Sequence, residues 1–122
     1  MSDRTAYGAS RVLASPNKFR LAVLGFNCSG GCSITTASGA AEAEWDESVR
    51  VAQAADQANI EALIPLGRWL GFGGDKNFNG RSFETFAWAA GISALTRNIQ
   101  VFSTFHVPTA HPVRVAKTVA TI

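Results

Sequence analysis

Short apolar runs alternate along this chain with longer stretches in which apolar residues recur every third or fourth position. Residues 19–27 are a mostly apolar run with the length of a buried strand. After a loop rich in Gly, Ser and Thr, Glu42, Glu44, Asp46 and Glu47 gather where a helix should begin, because the positive end of the helix dipole favours acidic side chains. Trp45, Val49, Ala52 and Ala55 follow at helical spacing, and Asn59 predicts the stop. Residues 60–66 predict a second strand, with Pro65 near its end. A second glycine-rich loop spans 67–81. Ser82 is placed to cap the next helix, whose inner face would be Phe83, Phe86, Ala87, Ala90 and Ala94. Gly91 within it predicts close packing at a cost in helix propensity. Residues 99–106 predict a third strand. Pro108 and Pro112 frame a turn, and Pro112 suits the first turn of a last helix carrying Val113, Ala116, Val119 and Ala120.

Strand then helix, three times over, predicts an α/β fold with a parallel sheet. Residues 1–17 are polar and rich in small side chains, and are expected to form a flexible arm ahead of one domain spanning 18–122. The strand-to-helix loops after the first two strands are each about 15 residues, whereas the helix-to-strand turns are minimal. In parallel α/β proteins ligands meet the C-terminal strand ends, where those long loops emerge. Chemistry is therefore expected on residues 27–41, 67–81 and 106–111.

Composition narrows the classes. With 47% hydrophobic and 16% charged residues, the chain reads as an ordinary folded domain. A net charge of +2, with its Lys and Arg scattered, gives no footprint for nucleic acid. No apolar stretch is long enough to cross a membrane, and Val12-Leu13-Ala14 is too short for a signal peptide, so the expected location is cytoplasmic. Cys28 and Cys32 have no second Cys or His pair to complete a zinc site, and they read as small residues of a glycine-rich loop. No metal is expected.

The glycine-rich segment 71–77 lacks the Gly-Lys-Ser/Thr of a phosphate loop and the third glycine of a dinucleotide fingerprint. Arg68 is the one cation expected at a strand end, where its guanidinium could pair with an anion or with the edge of a heterocycle, or simply be solvated. Trp69 and Phe72 beside it could wall a planar ligand or pack under their own loop. His106 ends the third strand, where a general acid/base role and a hydrogen-bonded structural role are both open. His111 precedes a helix start and could cap it. No nucleophile elbow is present.

Three linked segments carry a resemblance: Ile64-Pro65-Leu66-Gly67-Arg68-Trp69-Leu70-Gly71-Phe72-Gly73-Gly74, then Asn79-Gly80-Arg81-Ser82-Phe83-Glu84, then Trp88-Ala89-Ala90-Gly91. With His106-Val107-Pro108-Thr109-Ala110-His111-Pro112, they resemble the bacterial luciferase-like family of flavin-dependent monooxygenases. The similarity is to the branch containing pyrimidine, alkanesulfonate and dimethylsulfide monooxygenases. It extends over residues 19–122 and is densest from Leu63 onward.

The resemblance implies an eight-stranded (β/α) TIM barrel, of which this chain would be the first three strand-helix units. Such barrels typically take about 250 residues, so the chain reads as a fragment, a truncated product or one piece of a split enzyme. It also implies FMN, supplied reduced by a separate flavin reductase, and O2 as the oxidant of a small sulfur- or nitrogen-containing organic substrate. By resemblance, Gly67 and Arg68 would contact the flavin, His106 would be the catalytic residue, and Asn27 and Trp69 would lie on the substrate side. Alternatively, the chain is non-catalytic and acts as a binding or assembly module through self-association or a complementing chain. A flavodoxin-like nucleotide binder is a third reading, and it would need two further strands.

Overall fold

The computed structural model describes residues 10–122. Strands β1 (Ala22–Leu24), β2 (Ala62–Ile64) and β3 (Gln100–Val101) form a parallel sheet in the order β1-β2-β3. Helix α1 (Arg11–Ala14) precedes the sheet. Helices α2 (Trp45–Gln57) and α3 (Thr85–Leu95) make the crossovers, and α4 (Pro112–Val119) follows a 3-10 turn at Val107–Thr109. The parallel strand-helix order matches the sequence pattern, and the small sheet is covered on one face by α2 and α3.

Register explains which face that is. Val23 lies opposite Leu63, and Leu63 opposite Val101. Leu63 is buried in a core with Ala52, Ala55, Trp88, Ala89 and Ile92, and Val23 and Val101 pack against it. Alanines on both helices let the backbones approach the sheet, while Trp88 fills the remaining volume and meets Phe26 edge-on at 5.1 Å. On the alternate row, Leu24 pairs with Ile64, and the next β3 position is Phe102, whose N–H donates to Leu63. Leu24 is 47% exposed and Phe102 also faces solvent. Parallel sheets are ordinarily buried on both faces, so this row is unusual in remaining open.

The regular strands are shorter than the apolar runs suggest. Gly25 turns the chain after β1 with φ of 81°, and Pro65 has no N–H to continue the ladder after β2. Helix α3 is capped differently from the sequence expectation. Glu84, not Ser82, is the N-cap, its carboxylate accepting from the N–H groups of Phe86 and Ala87. The Ser82 hydroxyl instead donates to the Arg68 carbonyl. His111 does cap α4, Nδ1 accepting from the Val113 N–H. Asn59 ends α2 with φ of 59°, as its side chain allows.

Two carboxylates fasten the N-terminal edge of the sheet. Asp56 at the end of α2 accepts from the N–H groups of Arg97, Asn98 and Ile99, fixing the turn into β3. Burial pushes its pKa up, but those three donors and Arg11 outweigh that and lower it. Glu61 is buried and accepts from the Leu21 N–H, the Asn17 amide and the Ser15 hydroxyl. Through Ser15 and Asn17 it ties down the segment that follows α1. Of the expected arm, residues 1–9 lie outside the described residues.

Candidate functional site

The C-terminal ends of the three strands carry the predicted residues, and the two long loops above them are stitched together. Ser29 donates its N–H to the Arg81 carbonyl and accepts the N–H of Asn79, while Phe83 donates to Asn27. Cys28 and Ser82 thereby form an antiparallel bridge. Asn79 is buried, and its amide donates to the carbonyls of Ser29 (3.0 Å) and Gly31 (3.1 Å). Its φ of 56° needs a residue that tolerates the left-handed region. Sequence reasoning missed Asn79. The signal was present in Asn77-Phe78-Asn79-Gly80, a turn-forming cluster.

Asn27 is fully buried. Its Oδ1 accepts from the Leu66 N–H at 2.8 Å, and its Nδ2 donates to the Leu66 carbonyl at 3.0 Å. This side chain thus continues the pairing between the first and second strands one step past the regular ladder. Asn27, expected on the substrate side, is instead committed to the second strand, and its Nδ2 also donates to the Phe83 carbonyl at 3.4 Å.

Gly67 follows at once. A β-carbon there would lie 3.3 Å from Thr104 Oγ1 and 3.4 Å from His106 Cε1, so the end of the second strand lies directly against the end of the third. Thr104 Oγ1 donates to the Pro65 carbonyl at 3.0 Å, and the Thr104 carbonyl accepts the Thr85 hydroxyl of α3. Thr104 and Thr85 were not legible as site residues, because nothing in their local sequence marks them.

His106 is solvent-exposed, and its ring stands perpendicular to that of Trp69 with centroids 6.2 Å apart. Trp69 is 79% exposed, so it does not pack beneath its own loop. Arg68 places its guanidinium carbon 4.5 Å from the centre of the Phe72 ring, a cation–π contact, while its Nε is buried without a partner. Gly67, Trp69 and His106 are therefore brought together, with Arg68 at the edge of the group and Asn27 beneath it. Cys28 is a buried free thiol whose pKa is raised by burial, partly offset by Arg68, and Cys32 is a free exposed thiol. Among the described residues no group of three His, Cys, Asp or Glu side chains could hold a metal ion. Nor is any described helix long and apolar enough to cross a membrane.

A parallel strand-helix protein with its polar and aromatic candidates grouped at the C-terminal strand ends belongs to the α/β class that binds ligands there. The luciferase-like monooxygenase family matches residues 24–122, and the chain belongs to that family. Curated relatives include pyrimidine monooxygenase RutA of Bradyrhizobium sp., 30% identical over 92 residues that make up 75% of this chain and 26% of the relative. RutA of Shigella flexneri is 33% identical over 72 residues, 59% of this chain and 19% of the relative. RutA of Allorhizobium ampelinum is 29% identical over 94 residues, 77% and 26% respectively. The chain thus spans about a quarter or less of the curated relatives it matches.

Proposed function

We propose that the chain supplies the flavin-facing strand ends of an FMN-dependent monooxygenase acting on a small sulfur- or nitrogen-containing organic substrate. The observation that carries this reading is the meeting of Gly67 with His106: with no β-carbon on Gly67, its half-buried backbone lies directly beside the exposed imidazole at the C-terminal strand ends, where a planar ring could seat against both. Trp69 and His106, perpendicular to one another, bound that space on two sides. The residues present fit an electron-rich heteroaromatic ligand. Arg68 has an unpartnered buried Nε and a guanidinium fixed over Phe72, so it can stabilise negative charge on a reduced ring with little reorganisation.

Reduced FMN, supplied by a separate reductase, would provide the oxygen-activating chemistry. The protein's part is then to bind and orient. Gly67 admits the ring, Arg68 stabilises its charge, Trp69 excludes water on the substrate side, and His106 holds or moves a proton at its imidazole nitrogens. A cytoplasmic location accords with the reductase requirement.

FMN titration of the purified chain, followed by flavin fluorescence, tests this. The expected result is saturable binding that Arg68→Ala weakens about ten-fold, the loss of one charge-assisted hydrogen bond. Absence of binding by a folded chain would overturn the flavin site on this chain.

A second reading is favoured by the open sheet. Leu24 and Phe102 are exposed on the uncovered face, and β1 and β3 each have an unpaired edge among the described residues. In that reading the chain is an assembly module completed by further strand-helix units of a (β/α) barrel, or by self-association. Mass determination by light scattering during size exclusion separates a monomer from these alternatives.

A further inference from the structure

The backbone between Leu66 and Gly67 is held in one orientation by contacts on both sides. Leu66 turns its N–H and its carbonyl toward the first strand, where Asn27 takes both, at 2.8 and 3.0 Å, and Cys28 Sγ lies 3.7 Å from the same carbonyl. In extended backbone, adjacent residues present their polar groups to opposite sides. Consistent with this, the carbonyl of the preceding Pro65 points the other way and accepts from Thr104 Oγ1, on the third strand. No peptide bond among the described residues is cis, so the Gly67 N–H lies opposite the Leu66 carbonyl and also faces the third strand.

There it has no partner among the described residues. The β2–β3 ladder runs from the Gln100 N–H to the Glu61 carbonyl and from the Phe102 N–H to the Leu63 carbonyl. Continued two steps further, it would offer the Thr104 carbonyl to Gly67. That carbonyl instead accepts the Thr85 hydroxyl from α3. Gly67 is therefore left with a backbone donor at the C-terminal edge of the sheet, beside His106 and with no side chain of its own to cover it.

We infer that Asn27 is a positioning residue: its amide fixes the Leu66–Gly67 peptide so that the Gly67 N–H is presented to a hydrogen-bond acceptor, a ring carbonyl or unprotonated ring nitrogen, on a planar ligand seated against His106. The inference rests on the flavin reading for the identity of that ligand. It assigns Asn27 a role beneath the ligand rather than beside the substrate. A preorganised backbone donor of this kind costs little to align when the ligand arrives.

The test is amide exchange and proton–nitrogen NMR on the uniformly 15N-labelled chain, with FMN as the probe. Without ligand, the Leu66 amide should exchange at least about ten-fold more slowly than that of Gly67, since one is hydrogen-bonded to Asn27 and the other is free. With FMN, the Gly67 proton should move downfield and its exchange should slow. Asn27→Asp removes the donor to the Leu66 carbonyl. It should weaken FMN about ten-fold and abolish the Gly67 shift. Asn79→Gly loosens the same loops without touching that peptide, and it should leave the Gly67 shift in place. Equal protection of Leu66 and Gly67 in the free wild-type chain would overturn the inference, as would a Gly67 shift that survives in Asn27→Asp. If the wild-type chain shows the expected exchange pattern but no response to FMN, the flavin reading falls while the orientation by Asn27 stands.

Discussion

The ring of Trp45, at the start of α2, occupies the space that a β-carbon on Gly91 of α3 would need, with Cζ2 at 3.0 Å from that position. Trp45 is in turn held edge-on against Phe83, with centroids 5.8 Å apart. The glycine is thus where the two helices cross, and its cost in helix propensity is offset by the indole it admits. Gly91→Ala gains up to about 1 kcal/mol in propensity but overpacks the crossing by about 1–3 kcal/mol. The net expectation is a loss of about 1 kcal/mol in urea unfolding. In a double-mutant cycle, Trp45→Ala should remove most of that penalty, because the two residues share one volume.

Glu61 makes the chain's stability pH-dependent. Its pKa falls from the ordinary 4.5 to about 2, chiefly through the Leu21 N–H and then the Asn17 and Ser15 side chains. A depressed folded-state pKa stabilises the fold above the unfolded value, and that contribution is lost as pH falls through the folded value. The melting temperature should therefore drop between about pH 4.5 and pH 2 on this account. Glu61→Gln should lower it at neutral pH and flatten that part of the profile, as read by thermal unfolding across the range.

Asn79 holds the two long loops together with two side-chain donors in a buried position. Asn79→Gly keeps the backbone conformation and removes both. A cost of about 1–3 kcal/mol is expected, together with faster limited proteolysis within residues 29–41 and 67–81. Cleavage confined to the termini would show that the loops are held by their backbone contacts alone.

Gly67→Val places branched carbons against Thr104 and His106, which already lie 3.3 and 3.4 Å from a single β-carbon. The site lies at the sheet edge rather than in the core, so stability should change by less than about 1.5 kcal/mol. FMN affinity should fall more than about ten-fold, because the branched side chain covers the backbone donor. Titration and urea unfolding on the same variant separate the two effects.

Much of this architecture could be read along the chain. The three apolar runs, the acidic start of α2, the Pro112 start of α4 and the minimal turns before β2 and β3 are local features, set by side-chain preference within a few residues. The capping of α3 was not legible, since Ser82 is a preferred N-cap residue and Glu84 is not. The choice between them depends on the Arg68 carbonyl, which only the fold brings to Ser82. Glu61 and Asp56 likewise carry nothing in their local sequence that marks them as anchors. Their donors come from residues some forty positions away.

The sequence by itself determined the element order, the parallel sense of the sheet, the face that α2 buries, and the end of the sheet from which the long loops rise. Each of these follows from periodicity and from the short reach of the connections. It did not determine the face of α3: Thr85, Trp88, Ala89 and Ile92 are buried there, whereas Ala87, Ala90 and Ala94 of the expected inner face are exposed, because a helix apolar on nearly every side has no periodicity to choose by. Only the tertiary structure decided what the candidate residues do there. Whether Asn27 faces outward or clasps Leu66 depends on how Pro65 interrupts the ladder. Whether Gly67 meets His106 depends on the register of β2 against β3. Hydrogen bonds between distant segments have no sequence period, so those relationships emerge only when the strands are laid side by side.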